Sequence, residues 1–172
     1  MKKKIAILAG DGIGPEVMKE AVKIIDYIKT RHKIKLEYQY ADFGGAAIDR
    51  YNEPLPAGCW DICRNSDAIL LGSVGGPKWD HLPATRRPEI GGLLELRKRL
   101  KLFANLRPIT IYPYLSHLSP LSERILAQPV DLITVRELAG GIYFSQPKGM
   151  TDDEGYDTER YNRDEIRRIA KV

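Results

Sequence analysis

The N-terminal segment most constrains the fold, because an apolar run passes through a glycine-rich turn directly into an amphipathic helix. Residues 4–9 read Lys-Ile-Ala-Ile-Leu-Ala, and Gly10-Asp11-Gly12-Ile13-Gly14-Pro15 follows. A short apolar run that ends at glycine is typical of a buried strand, and proline suits the first turn of a helix. Apolar residues then recur at helical spacing from Val17 to Ile28. The segment therefore predicts the first strand and helix of an α/β layer fold.

Further elements continue this alternation. We expect strands over residues 34–40 and 67–72, and a short helix over 59–64 between them. A Gly- and Pro-rich loop over 73–92 precedes a helix that carries Leu93 and Arg97. The pattern then predicts extended chain over 103–112, a helix over 121–128, a strand over 130–135 and a helix from residue 163 onward. This last helix has no terminal glycine, proline or cap, which predicts that the chain stops inside an element.

Composition and charge exclude several classes of protein. With 172 residues, 43% of them hydrophobic, the chain is long enough for a core, yet no apolar run approaches the ~20 residues of a membrane span. The 27 basic and 23 acidic residues are spread along the chain, which favours a small anionic ligand over nucleic acid. Cys59 and Cys63 suit neither a disulfide framework nor, without further His or Cys ligands, a metal site. We therefore expect a reducing compartment, the cytoplasm, and no metal ligands in these residues.

Two glycine-rich loops are candidate ligand sites. The first departs from the dinucleotide fingerprint G-x-G-x-x-G, because Pro15 occupies the last glycine position and residues 29–33 contain no ribose-binding acid. Its glycines still permit close backbone approach at a helix N-terminus, although a generic strand-to-helix turn explains them equally well. The second loop, residues 72–80, follows a strand at the end where α/β sheets bind ligands. An ordinary surface loop is the alternative there.

Three arginines, Arg97, Arg107 and Arg136, each lie within largely apolar sequence. A guanidinium in such a place is costly unless it is paired or binds an anion, and its planar fork matches a carboxylate. The three together suggest a substrate with several carboxylates. The alternative is a set of structural ion pairs with Glu89, Glu95 and Glu137. Tyr143, which follows Arg136 closely, is a candidate general acid.

Six segments, in order along nearly the whole chain, resemble the β-decarboxylating dehydrogenases of the isocitrate/isopropylmalate dehydrogenase family. One such motif is weakly specific, but six in the same order are highly specific. The segments are Gly10-Asp11-Gly12-Ile13-Gly14-Pro15-Glu16-Val17, residues 72–80, Arg87-Pro88-Glu89 with Gly92-Leu93-Leu94-Glu95-Leu96-Arg97-Lys98, Leu102-Phe103-Ala104-Asn105-Leu106-Arg107-Pro108, Val135-Arg136-Glu137-Leu138 with Gly140-Gly141-Ile142-Tyr143-Phe144, and Tyr161 with Glu165, Ile166, Arg168, Ile169 and Ala170.

The resemblance implies an isopropylmalate dehydrogenase-like, two-domain α/β sandwich that is non-Rossmann and here incomplete. Residues 1–100 would begin the cofactor-side domain, and residues 101–172 the domain for dimerisation and substrate. Arg97, Arg107 and Arg136 would bind the malate-type carboxylates, while Tyr143 would donate a proton to the enol left after loss of CO₂. The implied NAD-binding residues are Ile13, Gly76, Pro77, Lys78, Trp79, Asp80 and Glu89.

The implied reaction is the NAD-dependent oxidative decarboxylation of 3-isopropylmalate to 2-oxoisocaproate in leucine biosynthesis. Isocitrate dehydrogenases carry a serine and an asparagine in the helix before the arginine, whereas this chain has Gly92-Leu93-Leu94. An apolar slot at Leu93 would leave a third carboxylate unpaired, which favours an isopropyl group. Isocitrate, homoisocitrate and tartrate are the alternative substrates within the family.

Members of this family are considerably longer than 172 residues, so the chain resembles their N-terminal portion. The resemblance places the aspartates that bind Mg²⁺ or Mn²⁺, the lysine that works with the tyrosine across a homodimer, and the adenosine-binding segment in the other half. We therefore expect residues 1–172 alone neither to turn over substrate nor to fold stably. The alternatives are a truncated binding module without catalysis and an α/β domain whose arginines are all structural.

Overall fold

A parallel sheet around the N-terminal strand organises the first of two compact units. The first unit ends at Leu100, and the second runs from Lys101 to Val172. The computed structural model describes residues 2–172. The strands of this sheet are β1 (Lys2–Gly10), β2 (Lys35–Tyr40) and β3 (Ala68–Ser73). β1 lies between the other two and runs parallel to both. Its middle residues Ala6, Ile7 and Leu8 are therefore buried.

Helices connect these strands, which confirms the predicted α/β class. They are α1 (Gly14–Arg31), α2 (Gly45–Tyr51) and α3 (Ala57–Arg64). The sequence did not predict α2, because seven residues are too short for a helical period to be recognised.

The loop predicted over residues 73–92 is partly helical, so that prediction is wrong in part. It contains two 3₁₀ turns and most of a π-helical stretch, and helix α4 follows. These segments are Pro77–Trp79, Ala84–Arg86, Pro88–Leu94 and α4 (Glu95–Arg99). A π-helical stretch does not follow the usual period, so a pattern search for α-helical spacing misses it.

The core of the first unit joins β1 to α3 and α4. Its centre is Phe43, which is fully buried and lies between β2 and α2. Both cysteines are free and buried in this cluster. The hydrogen bond to Cys63, together with burial, raises the pKa of the Cys59 thiol. The buried cluster comprises Ala6, Leu8, Phe43, Leu55, Cys59, Cys63 and Leu96.

The second unit is built on an antiparallel ribbon of β4 and β5. Its elements are β4 (Ala104–Thr110), a 3₁₀ segment (Pro113–Leu118), α5 (Glu123–Leu126), β5 (Asp131–Glu137), a 3₁₀ turn (Gly141–Tyr143), β6 (Gly149–Met150), β7 (Gly155–Tyr156) and α6 (Arg163–Ile169). β6 and β7 form a short antiparallel pair. Across residues 2–172, no helix is both long enough and apolar enough to cross a membrane.

One sequence prediction for this unit is wrong in its length. The helix expected over 121–128 is only four residues long. At the start of the last helix, Asn162 and Glu165 form a reciprocal capping box.

Replacement of Phe43 by alanine tests the core of the first unit. We expect Phe43→Ala to lower the free energy of unfolding of the full-length protein by about 3–5 kcal/mol, because a fully buried aromatic side chain leaves a cavity. Tyr27→Ala, at a 62% exposed aromatic position on α1, should change it by less than about 1 kcal/mol. Equal losses in denaturant titrations of the two variants would contradict this description of the core.

Candidate active site

The carboxylate of Asp11 joins three separate segments at the C-terminal end of β1. Its Oδ2 accepts hydrogen bonds from the backbone N–H groups of Gly45 and Gly75, both at 2.8 Å. Its Oδ1 accepts from the N–H of Ala46 at 2.7 Å. The side chain is buried, and hydrogen bonds to a charged acceptor are strong ones. Asp11 therefore sets the position of the start of α2 and of the loop that follows β3.

The sequence pattern predicts only a glycine-rich turn at residue 11 and does not indicate this role. The available signal was an ionisable side chain directly between a buried strand and a helix, since such a group needs several donors when it is buried. The sequence does not reveal which groups are those donors, because Gly45, Ala46 and Gly75 are far from Asp11 along the chain.

The second glycine-rich loop is held against Glu89. Gly75 has a φ of +98°, a conformation that side chains other than glycine rarely adopt. A Cβ at this position would overlap the Glu89 carboxylate. The glycine therefore permits Glu89, a predicted NAD-binding residue, to lie directly on the loop that carries the predicted residues Gly76 to Asp80.

Asp49 on α2 fixes the next part of this loop. Its carboxylate accepts hydrogen bonds from Lys78 Nζ at 2.5 Å and from Trp79 Nε1 at 3.1 Å. These hydrogen bonds, the one from Lys78 first, hold the pKa of Asp49 below its usual value. The Trp79 ring lies on Gly45, where a Cβ would overlap it. Helix α2, which the sequence analysis missed, thus supports Lys78 and Trp79.

The two glycine-rich segments leave the sheet at the same end. Gly10 pairs with Ser73 in the β1–β3 register. At this point the Asp11 N–H donates to the Ser73 carbonyl, and the Ser73 hydroxyl donates to the Asp11 carbonyl. Ile13, the N-cap residue directly before α1, is 63% exposed. A Cβ at Gly12 would meet nothing within 4 Å, so the backbone there is open to a ligand. An exposed apolar side chain and an open glycine backbone thus adjoin each other at the start of α1.

In the second unit, β4 and β5 bring Arg107, Arg136 and Tyr143 together. Asn105 pairs with Arg136 and Arg107 pairs with Thr134, so these four side chains share one face of the ribbon. Arg107 Nε donates a hydrogen bond to Asn105 Oδ1 at 2.8 Å. Arg136 Nη2 donates to the Tyr143 hydroxyl, and its guanidinium carbon lies 5.5 Å from the centre of the tyrosine ring. Two cations and a phenol thus line one exposed surface.

The other two predicted substrate residues belong to the first unit. Leu93 and Leu94 are the last two residues of the π-helical stretch, and Arg97 lies in α4. Both side chains are half-buried. Residues four apart share one side of a helix, so Leu93 and Arg97 lie one turn apart on the same side.

Two of the glutamates proposed as structural partners bond to other arginines. Glu95 accepts from Arg99 at 2.7 Å, and Glu137 accepts from Arg168 at 2.7 Å. Arg107 and Arg136 instead donate to the neutral groups described above. Their arrangement favours anion binding over the ion pairs that the sequence left open.

No metal-ligand cluster is formed by the part of the chain that the structure describes. There, no three His, Cys, Asp or Glu side chains lie close enough together to hold a metal ion. These residues therefore do not fit a metal site by themselves.

Comparisons with known proteins agree with this architecture. The family described as isocitrate/isopropylmalate dehydrogenase matches residues 4–172. The 3-isopropylmalate dehydrogenase of Thermotoga maritima is 53% identical over 98% of this chain and 48% of its own length. That of Escherichia coli K12 is 50% identical over 98% of this chain and 47% of its own. The solved structure of a β-decarboxylating dehydrogenase from Thermococcus kodakarensis matches with a TM-score of 0.69 and 28% identity, over 99% of this chain and 44% of that one.

These matches and the fold agree on one family of proteins. It belongs to the isocitrate/isopropylmalate dehydrogenase family. The chain spans about half the length of the relatives it matches, in line with the resemblance to their N-terminal portion.

Replacement of Asp49 tests the support of the loop. We expect Asp49→Asn in the full-length protein to speed amide hydrogen exchange over residues 76–82 by up to about fivefold, since an exposed ion pair contributes up to about 1 kcal/mol. Mass spectrometry of peptides from this loop measures the change. Glu20→Gln, which removes the exposed pair with Lys23 on α1, should leave the loop unchanged.

The same variant has an expected pH dependence. Because the folded pKa of Asp49 is lowered, its contribution is fully present above the ordinary pKa of about 3.9 and is lost as the pH falls through the lower folded value. The ratio of the loop's exchange rates in Asp49→Asn and in the unmodified protein, compared at the same pH, should therefore be constant from about pH 5 to 8. A difference that disappears within this range would contradict the assignment.

Proposed function

We propose that the full-length protein carrying this chain is an NAD-dependent oxidoreductase that converts 3-isopropylmalate to 2-oxoisocaproate by oxidative decarboxylation. The observation that carries the proposal is that Arg107 and Arg136 share one face of the β4–β5 ribbon and that Arg136 contacts the Tyr143 hydroxyl. This arrangement pairs carboxylate-binding groups with a proton donor. Identity of 50–53% to relatives named 3-isopropylmalate dehydrogenase supports the choice of reaction.

The arginines bind and orient the substrate. A guanidinium offers two parallel N–H donors that match the oxygens of a carboxylate. Arg107 and Arg136, which project from neighbouring strands, bind carboxylates of the malate part. Arg97, in the first unit, is proposed as a further carboxylate-binding residue. This positioning places the reacting carbon beside Tyr143 and reduces the entropic part of the barrier.

The cofactor is proposed to be NAD, which when bound supplies the acceptor for the hydride that leaves the hydroxyl carbon. The residues that would hold it are the exposed Ile13, the loop Gly76, Pro77, Lys78, Trp79 and Asp80, and Glu89. Asp49 and Gly75 support this surface through the contacts described above. The ligands of Mg²⁺ or Mn²⁺ are proposed to lie outside residues 2–172.

Tyr143 completes the reaction as the general acid. When CO₂ leaves, the electrons of the broken C–C bond remain on the substrate as an enol or enolate. The Tyr143 O–H then donates its proton to the carbon that lost CO₂, which forms the new C–H bond. The Arg136 guanidinium, in contact with the Tyr143 oxygen, stabilises the negative charge that the proton leaves behind.

Leu93 is proposed to select the substrate. It lies one helical turn before Arg97 and offers no hydrogen-bond donor. A third carboxylate at this place would lose its hydration without a partner, whereas an isopropyl group would be buried favourably. Isocitrate, homoisocitrate and tartrate are therefore the less favoured substrates.

The remaining proposals concern the whole protein. We propose a homodimer that binds neither nucleic acid nor a membrane. We also propose that it is cytoplasmic, since its two cysteines are free and the cytoplasm keeps thiols reduced. Residues 1–172 alone are proposed to be inactive. A truncated module that binds anions without catalysis is the alternative, and detectable NADH formation by the purified 172-residue chain would overturn the proposal of inactivity.

Replacement of Tyr143 tests its role as the acid. In the full-length protein, Tyr143→Phe should lower kcat for formation of 2-oxoisocaproate by about 10²-fold or more, the usual contribution of a general acid. KM for 3-isopropylmalate should change little, because both arginines remain. Tyr114→Phe, at a 72% exposed position of the same unit, should retain full activity. An unchanged kcat in Tyr143→Phe would remove Tyr143 from the mechanism.

Replacement of Leu93 tests substrate selection. We expect Leu93→Ser to lower kcat/KM for 3-isopropylmalate by about tenfold or more, because lost apolar contact weakens binding of the isopropyl group. The ratio of kcat/KM for isocitrate to that for 3-isopropylmalate should rise. Leu118→Ser, at a 70% exposed leucine, is the matched control. A ratio that stays the same would mean that Leu93 does not select the substrate.

A further inference from the structure

Glu137 is a largely buried carboxylate whose two oxygens are both used. Its side chain is 9% exposed. Oε2 accepts hydrogen bonds from the backbone N–H groups of Ala139 at 3.0 Å and Gly140 at 2.8 Å. Oε1 accepts from Arg168 Nη2 at 2.7 Å. The carboxylate therefore closes the turn that follows β5 and attaches it to α6.

This turn leads directly into the segment that carries Tyr143. The 3₁₀ turn Gly141–Tyr143 begins one residue after Gly140. Gly141 has a φ of +58°, and the hydroxyl and ring of Tyr161 occupy the space that a side chain there would need. The backbone before Tyr143 is thus held by Glu137 on one side and by Tyr161 on the other.

Arg168 is itself held in place. Its guanidinium carbon lies 5.2 Å from the centre of the Phe103 ring. The carbonyl of Phe103 accepts the backbone N–H of Leu138 at 2.8 Å, so the same residue contacts both the arginine and the turn. The donor to Glu137 is therefore fixed relative to the chain that it holds.

Glu137 does not act by neutralising its neighbour Arg136. Ala104 pairs with Glu137, whereas Asn105 pairs with Arg136, so the two side chains leave opposite faces of the ribbon. The Glu137 carboxylate contacts the turn and α6, while Arg136 contacts Tyr143. Its effect on the acid must therefore pass through the backbone of residues 139–143.

We propose that Glu137, held by Arg168, is a positioning residue that sets the orientation of Tyr143 beside Arg136. The proposal rests on the proposed function, in which Tyr143 is the proton donor. Without the carboxylate, the Ala139 and Gly140 N–H groups lose their acceptor and the 3₁₀ turn is free to move. The phenol then spends less time where it can donate its proton to the substrate.

A double-mutant cycle in the full-length protein separates positioning from a general structural role. We expect Glu137→Gln to lower kcat by about 10- to 100-fold, the usual effect of a misplaced catalytic group. KM for 3-isopropylmalate should change little. In a Tyr143→Phe background the same substitution should lower kcat by less than about twofold, because there is no phenol left to position. Equal losses in both backgrounds, or no loss in either, would overturn the proposal.

Two further variants guard against loss of folding. Arg168→Met retains the carboxylate and its two backbone donors, so it should lower kcat in the same direction as Glu137→Gln but by less. Glu154→Gln removes an exposed carboxylate of the same unit and should have no effect. A normal kcat in Arg168→Met would remove Arg168 from the proposal.

Amide hydrogen exchange provides a readout that is independent of activity. Glu137→Gln should speed exchange over residues 139–144, whereas Glu154→Gln should not. If the unmodified protein does not convert 3-isopropylmalate, or if Tyr143→Phe is fully active, the proposed function fails while this exchange result still tests the support of the turn. Unchanged exchange over these residues would show that Glu137 does not hold the turn.

Discussion

The hydrogen bonds from three backbone N–H groups to the buried Asp11 carboxylate are the constraint on which the first unit depends. A buried charge without such donors is costly, so the segments that supply them must lie where the carboxylate is. This requirement brings the start of α2 and the loop after β3 to the end of β1. Helix α2 then supplies Asp49, which holds Lys78 and Trp79. One carboxylate thus determines, step by step, the surface proposed to bind the cofactor.

In the second unit, too, a carboxylate at the end of a strand accepts hydrogen bonds from the backbone of a following loop. Glu137, the last residue of β5, accepts two backbone N–H groups of the following turn. Its second oxygen is taken by Arg168, so its charge is also paired. In both units the carboxylate of a buried or largely buried acid holds a loop that carries proposed functional residues. The loops that carry the groups proposed to bind or react are thereby held in place by the carboxylates of Asp11 and Glu137.

The local patterns in the sequence were sufficient for most of the regular structure. Strands β1 and β3 and helix α1 follow from apolar runs and spacing, because burial on one face or both imposes a period. Helix α2 and the π-helical stretch before α4 were missed, since one is short and the other lacks the α-helical period. The capping box at Asn162 was written in the sequence as Asn-x-x-Glu and was overlooked. The candidate arginines and Tyr143 were found individually, without any indication of which of them touch.

The sequence by itself determined the α/β class, the family and the residue types available for binding and proton transfer. Only the tertiary structure decided that Arg107, Arg136 and Asn105 share a face, that Arg136 contacts Tyr143, and that Glu95 and Glu137 bond to other arginines. The reason is strand register: a shift of one residue between β4 and β5 would move every second side chain to the opposite face. Local periodicity is the same in either register. The pairing is chosen by contacts between residues that are distant in the chain, and those contacts exist only in the folded protein.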